Sequence, residues 1–81
     1  MAATKDDIRE WFDRGVREGA THLIVVCDTY DWEDYPVYVA QGEDVRQRES
    51  AFQTNMQKVM EVYNLKLPRD KQLAETRAFN Y

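Results

Sequence analysis

Apolar side chains recur at helical spacing near the start of the chain. They are Ile8, Trp11, Phe12 and Val16. Thr4 and Asp7 ahead of them match a capping box, and Gly19 after them is a typical helix stop. The pattern predicts a first helix over about residues 5–18. Gly15 inside it costs roughly 1 kcal/mol relative to alanine, so we expect it to mark a close packing contact.

The next two apolar segments have the composition of β-strands. Residues 21–27 are β-branched and apolar on both alternating faces, which predicts a short, covered and central strand. Residues 35–40 predict a second strand, in which Pro36 has no N–H and requires an edge or a strand start. The acidic residues 28–34 between the strands are expected to form a long hairpin loop.

The second half of the chain carries another apolar stripe at helical spacing. Its members are Phe52, Met56, Val59, Met60 and Tyr63. Residues 42–44 end the second strand and could open a helix. Ser50 and Gln53 match a second capping box, so the pattern predicts a second helix over about residues 50–63. Residues 65–67 alternate in polarity and indicate a short strand, and Pro68 then breaks the chain.

These elements predict an α+β fold in the order α-β-β-α. A small antiparallel sheet of two or three strands would be packed by two helices. Residues 1–68 would form the single domain, and residues 69–81 a polar C-terminal tail or short helix. Because two strands alone are marginal in water, we expect residues 65–67 to add a third strand or the sheet to pair across a homodimer.

Composition indicates the number of domains and the cellular compartment to expect. The 81 residues, 43% of them hydrophobic, are enough for one domain with one core. A single cysteine, Cys27, excludes a disulfide within the chain and fits a reducing compartment. The start of the chain lacks the basic and apolar regions of a signal peptide, and the longest apolar run is too short to span a bilayer. A cytoplasmic location is therefore expected.

Charge is distributed unevenly along the chain. The net charge is −4, yet residues 18–45 hold seven acidic residues and no lysine or arginine. Such a segment repels a nucleic-acid backbone, and its natural complement is a basic protein surface. Tyrosine and tryptophan, which dominate interface hot spots, are interleaved with these acids. The candidate contact residues are Asp28, Tyr30, Asp31, Trp32, Glu33, Asp34, Tyr35, Glu43 and Asp44.

Enzymatic alternatives find little support in the motifs. Asp28 and Asp31 follow an apolar strand, but their spacing departs from the Asp-x-Asp of haloacid-dehalogenase phosphatases, and the segment also fails the calcium-loop pattern. A metal-dependent hydrolase using Asp28, Asp31 and Asp34 is the weaker alternative. His22 and Cys27 have opposite facing on one strand, which argues against a nucleophile pair. We therefore expect no catalytic residue, no metal and no cofactor.

A nucleotide-binding role is the other alternative. Aromatic side chains can stack on bases, and Arg46 or Arg48 could hold a phosphate at the helix start. A dimer built this way would sequester a nucleotide signal. The acidic segment opposes this role unless it lies away from the pocket.

Two stretches of the chain resemble small phage and prophage proteins. They are residues 20–39, which include Cys-Asp-Thr-Tyr-Asp-Trp-Glu-Asp-Tyr-Pro-Val-Tyr-Val, and residues 55–65. The resemblance implies a phage accessory protein and brings no catalytic residues with it. Small phage proteins of this kind are often counter-defence factors, such as anti-CRISPR inhibitors. The expected function is thus non-enzymatic binding of a basic host protein through the acidic, aromatic residues, with a nucleic-acid-binding protein as a natural target.

Overall fold

The computed structural model describes residues 3–81. This part of the chain contains three helices and three strands, which confirms the predicted α+β class and the α-β-β-α order of its first four elements. The elements are α1 (Lys5–Arg17), β1 (His22–Asp28), β2 (Glu33–Val39), α2 (Val45–Ala51), β3 (Gln57–Asn64) and α3 (Arg69–Leu73). Across residues 3–81 no helix combines the length and apolar character needed to cross a membrane.

The three strands form one antiparallel sheet in the order β2-β1-β3. The apolar β1 lies in the centre, as predicted, with Val25 opposite Pro36 of β2 on one side and Glu61 of β3 on the other. Pro36 is therefore on an edge strand, where its missing N–H removes no ladder bond. The register with β3 shifts between Val25 and Val26, at a β-bulge.

Both faces of the sheet are covered, because alternate residues of β1 point into two separate core clusters. Leu23 and Val25 pack with Ile8, Phe12 and other residues on the α1 face. The opposite cluster packs against Val45 and Phe52 around α2; its buried members are Ile24, Val26, Val37, Val39, Val59 and Val62. This explains why β1 is apolar at five consecutive positions, 23–27, rather than at every second one.

The first helix follows its sequence signals closely. The Thr4 and Asp7 capping box is present, as predicted. Gly19 adopts a φ of 77°, and the bonds from its N–H to Val16 and from Ala20 to Gly15 close a Schellman motif. Gly15 is buried against β2 and the residue after β3: an added Cβ would lie 2.7 Å from Leu65 Cδ1 and 2.8 Å from Tyr38 Cε1. The predicted close contact is confirmed.

The predicted second helix over residues 50–63 is wrong. The helix in this region ends at Ala51, and residues 57–64 form β3 instead. Its N-cap is Asp44, whose side chain accepts bonds from Arg46 and Gln47, whereas Ser50 lies in its last turn. The helical spacing of Val59, Met60 and Tyr63 is overridden by pairing with the apolar β1, in a sheet that buries residues of β3 on both faces. Residues 65–67 are a turn, so the predicted strand there is also wrong.

Residues 74–81, here named the strap, run beside the outer edge of β3. Val62 donates to the Ala78 carbonyl at 2.8 Å and accepts from the Asn80 N–H at 2.9 Å, in a short parallel bridge. Leu73 and Ala78 are buried in the α1-face core. The segment after Pro68 therefore packs onto the rest of the domain.

Candidate functional site

The hairpin between β1 and β2 is shorter than predicted. Asp28 and Glu33 are paired strand residues, so the loop contains only residues 29–32. The Asp28 Oδ1 atom accepts a bond of 2.9 Å from the Tyr30 N–H, and the Thr29 N–H donates to the Met56 carbonyl at 2.9 Å. These two bonds fix the turn to β1 and to the residue preceding β3.

Two aromatic side chains project from this turn. Tyr30 is 81% exposed and Trp32 is 62% exposed. Large aromatic residues usually bury most of their surface, so neither side chain has a role in the core. Together with Asp31 and Glu33, which are also exposed, they form what we call the aromatic tip, residues 30–33.

The backbone at Trp32 is in an unfavourable conformation. Its φ is 59°, and it is the one residue other than glycine with a positive φ among residues 3–81. A left-handed conformation at a bulky residue costs about 1–2 kcal/mol, and glycine or asparagine would avoid it. The turn geometry therefore favours glycine, whereas the sequence places a large, exposed aromatic ring at this position.

Two carboxylates of the tip, those of Asp31 and Glu33, have no structural role in the fold. Within the described residues, neither Asp31 nor Glu33 has a hydrogen-bond or salt-bridge partner. Glu33 lies directly opposite Asp28, a like-charge pair that is unfavourable in a sheet. A cation placed at the tip would relieve this repulsion.

The other predicted contact residues have structural roles. Asp34 accepts a bond of 3.0 Å from the Ala3 N–H. Glu43 accepts from the Ala40 N–H at 2.8 Å, and Asp44 is the N-cap of α2. Because β2 is seven residues long, these last two lie about 20 Å from the tip, at a rise of roughly 3.3 Å per residue. The acidic segment is thus divided between two ends of the sheet and does not form one face.

Tyr35 is partly buried against the core cluster on the α2 face, and Cys27 is buried. The Tyr35 hydroxyl accepts a hydrogen bond from the Gln57 side chain, and burial and the Asp28 charge raise the pKa of Tyr35. Cys27 is buried, and burial together with the neighbouring Asp34 and Asp28 raises the pKa of its thiol. A thiol kept protonated in this way is a poor nucleophile.

The arginines considered for phosphate binding are already engaged. The Arg46 guanidinium carbon lies 3.9 Å from the centre of the Tyr81 ring. Arg48 donates to the Tyr38 carbonyl at 3.2 Å and lies 5.8 Å from the centre of the Phe52 ring. A phosphate at the start of α2 would have to displace these contacts.

The aspartates do not converge on a metal site. Asp28 and Asp34 each accept a backbone N–H, and Asp31 points outward from the turn between them. Residues 3–81 contain no group of three or more histidine, cysteine, aspartate or glutamate side chains arranged to hold a metal ion.

The structure adds one residue that the sequence did not indicate. Met56 is 52% exposed, and its carbonyl receives the bond from Thr29 at the base of the tip. Helical spacing assigned this side chain to a buried stripe, so no signal in the sequence pointed to the tip. An exposed, flexible thioether is a common feature of binding surfaces.

No family model, no curated protein and no solved structure matches this chain.

Proposed function

We propose that this chain is a non-enzymatic binding protein whose aromatic tip contacts a basic surface of another protein. The observation that carries the proposal is the exposure of Tyr30 and Trp32, at 81% and 62%, on one turn that two hydrogen bonds hold in place, one from the Tyr30 N–H to the Asp28 carboxylate and one from Thr29 to the Met56 carbonyl. A partner that buried both rings would gain the apolar contact that the fold does not use.

Charge selects the kind of partner. Asp31 and Glu33 flank Trp32, and no lysine or arginine occurs between residues 18 and 45. A lysine or arginine of the partner could pair with either carboxylate while its side chain packs on the indole ring. The same charges repel a nucleic-acid backbone, so the partner is a basic protein surface rather than DNA or RNA.

The resemblance to phage-encoded proteins extends the proposal to a biological role. A phage accessory protein with such a tip would act on a host protein. The most basic surfaces in a cell are nucleic-acid-binding grooves, and covering one with an acidic turn would block access to nucleic acid. The proposed role is therefore that of a counter-defence inhibitor of the anti-CRISPR kind.

A charge-matched comparison tests the proposal. A protein captured from a bacterial host lysate is purified and titrated with wild type, with D31K/E33K and with E10K/E18K. The two double variants have the same net charge, but Glu10 and Glu18 are exposed residues outside the tip, in α1 and at its C-cap. Asp34 is left intact because it holds Ala3.

We expect D31K/E33K to weaken binding about 100-fold or more, because a like-charge contact replaces an attractive one. E10K/E18K should stay within about threefold of wild type, and wild-type affinity should fall between about 50 and about 500 mM salt, where charges are screened. Equal weakening by both variants, or none by D31K/E33K, would show that the tip is not the contact surface.

A further inference from the structure

A groove of about 530 Å³ lies at the outer edge of β3, between the segment that precedes this strand and the strap. Its lining is polar and basic, and none of the described residues that border it is an aspartate or a glutamate. The polar side chains that the groove offers to a ligand are those of Gln53, Thr54, Asn55, Lys58 and Arg77. A concave site lined by charges of one sign concentrates ligands of the opposite sign, even in a chain of net charge −4.

Lysine on a sheet edge often serves only to prevent pairing with other strands. In this part of β3, however, the outward backbone groups are already bonded. They are the Gln57 carbonyl, the Val59 N–H and the Met60 carbonyl, which are bonded by Thr54, Gln53 and Arg77. Protection of the edge therefore does not require the positive charge of Lys58.

The two cations of the groove are not neutralised by acidic side chains. Asp34 and Glu61 border a neighbouring cavity that shares Arg77 with the groove, and there Glu61 lies 3.8 Å from the Lys5 ammonium. Among residues 3–81, neither Lys58 nor Arg77 forms a salt bridge with a carboxylate. Both charges remain available to a ligand.

The guanidinium of Arg77 is held in one place. Its Nε and Nη2 atoms donate to the Met60 carbonyl at 3.3 and 3.0 Å, and its Nη1 group has no partner in the described part of the chain. The side-chain amide of Gln53 uses its oxygen for Val59 and keeps its NH₂ group unbonded within the same residues. Cationic N–H donors form short, strong bonds to phosphate oxygens, and a donor that is already ordered loses less entropy on binding.

We propose that this groove binds a small phosphate monoester whose body carries hydroxyl or amide groups, such as a nucleotide or a sugar phosphate. A phosphate monoester has a charge of about −1.5 to −2 near neutral pH, which Lys58 and Arg77 together balance. The groove falls within the range of roughly 300–1,000 Å³ that is typical of small-molecule sites. It therefore has room for the body of the ester, which the amides of Gln53 and Asn55 would contact.

A single phosphate group suits the groove better than a nucleic-acid strand does. The groove lies at the tip end of the sheet, because Met56, next to Asn55, accepts the bond from Thr29 at the base of the turn. A polyanion that extended toward this end would meet the carboxylates of Asp31 and Glu33, which repel its backbone. The inference is independent of the proposed tip function, since no residue of the tip borders the groove.

A nuclear magnetic resonance titration of the wild-type chain tests the proposal. AMP, glucose-6-phosphate, inorganic phosphate and adenosine are added separately at about 50 mM salt, where screening is weak. We expect saturable amide shifts centred on Asn55, Lys58 and Arg77 with at least one of the two esters, which should bind at least about tenfold more tightly than inorganic phosphate. Adenosine, which lacks the phosphate, should leave these amides unchanged.

Several results of this titration would overturn the proposal. Equal affinity for inorganic phosphate and both esters would show an adventitious ion only. Shifts centred outside the groove, shifts that do not saturate, or adenosine binding as tightly as AMP would each contradict a phosphate site here. Tighter binding of a single-stranded oligonucleotide at these amides would indicate a nucleic-acid surface instead.

A matched pair of variants then locates the phosphate. K58Q and K66Q each remove one positive charge from an exposed lysine, and Lys66 lies outside the groove, in the turn after β3. We expect K58Q to weaken binding of the tighter ester at least about tenfold through loss of a charged donor, and K66Q to stay within about twofold of wild type. Equal weakening by both, or none by K58Q, would overturn the proposal. Because the wild-type titration needs no variant, it decides the proposal even if K58Q does not fold.

Discussion

The Asp28 carboxylate accepts a 2.9 Å hydrogen bond from the N–H of Tyr30, across the start of the turn that carries both exposed aromatic rings. A side-chain acceptor two residues before the donor forms an Asx turn, which preorganises the loop. The energy of this bond is modest because the site is exposed. The bond matters because it fixes the orientation of the backbone at Tyr30.

We expect D28A to loosen the tip without unfolding the domain. The loss of one exposed hydrogen bond should lower the unfolding free energy by about 0.5–1.5 kcal/mol and weaken partner binding several-fold, since a mobile tip has to be ordered on binding. D28N is the matched control, because its amide oxygen can still accept the bond. The amide exchange rate of Tyr30 should rise in D28A alone; an equal rise in D28N would contradict the role of this bond.

W32G should stabilise the fold while it removes binding. Glycine adopts the φ of 59° without the steric cost that tryptophan has. The unfolding free energy measured in urea should therefore rise by about 1 kcal/mol, since the left-handed strain is relieved. Y30A, at a position without a positive φ, should change it by less than about 0.5 kcal/mol. A marked destabilisation by W32G would mean that the indole supports the fold.

G15A should destabilise the domain although alanine is the better helix former. The new Cβ would lie 2.7 Å from a Leu65 methyl carbon and 2.8 Å from the ring of Tyr38, which is itself held by a 2.8 Å bond from its hydroxyl to the Trp11 carbonyl. The overpacking should lower the free energy of unfolding by about 1–3 kcal/mol, which exceeds the roughly 1 kcal/mol that alanine gains in helix propensity.

Urea denaturation measures this balance. S50A, at an exposed position in the last turn of α2, is the control for propensity alone and should change stability by less than about 0.5 kcal/mol. A G15A variant more stable than wild type would show that β2 and the turn after β3 yield easily at this contact.

Tyr63 should make the folded state sensitive to alkali. Its hydroxyl is buried and has no hydrogen-bond partner among the described residues, although the Glu61 carboxylate is close enough for its charge to act. Burial first, and Glu61 second, raise the Tyr63 pKa above its ordinary value of 10.0. The unfolded chain therefore loses this proton above about pH 10 while the folded chain keeps it, and stability falls as the pH rises.

Y63F should remove this part of the alkaline loss. At pH 7 the variant should be as stable as wild type or more stable by about 1 kcal/mol, because a buried hydroxyl without a partner is unfavourable. Unfolding free energies measured from about pH 8 to about pH 11 check both statements. A variant that loses stability at pH 7 would indicate that the hydroxyl is satisfied in solution.

Local signals in the sequence were sufficient for the first half of the fold. Neighbouring residues or backbone chemistry determine four of its features. These are the Thr4 N-cap, the helix end at Gly19, the apolar β1 buried on both faces and the edge position of Pro36. The error at residues 50–63 has a non-local cause. Val59 and Tyr63 fit the helical spacing, but long-range pairing with β1 makes the segment a strand that is buried on both faces, with Val59 in one core cluster and Tyr63 in the other.

The candidate site was predictable in composition but not in geometry. The aromatic and acidic residues of the tip stand out in the sequence, whereas the contacts of Asp34 with Ala3 and of Glu43 with Ala40 depend on the folded chain. Met56 was missed because its position depends on the strand that replaced the predicted helix. The positive φ of Trp32 could not be predicted from the sequence, because tryptophan is uncommon in left-handed turns.

Site-specific photocrosslinking tests the central claim most directly. A photoreactive amino acid replaces Tyr30 in one variant and Lys71, an exposed residue of α3, in another, and each is irradiated with the partner purified from the lysate. The tip proposal predicts a crosslink from position 30 into a segment of the partner rich in lysine and arginine, suppressed at high salt, and none from position 71. A crosslink from position 71 with none from position 30 would contradict it.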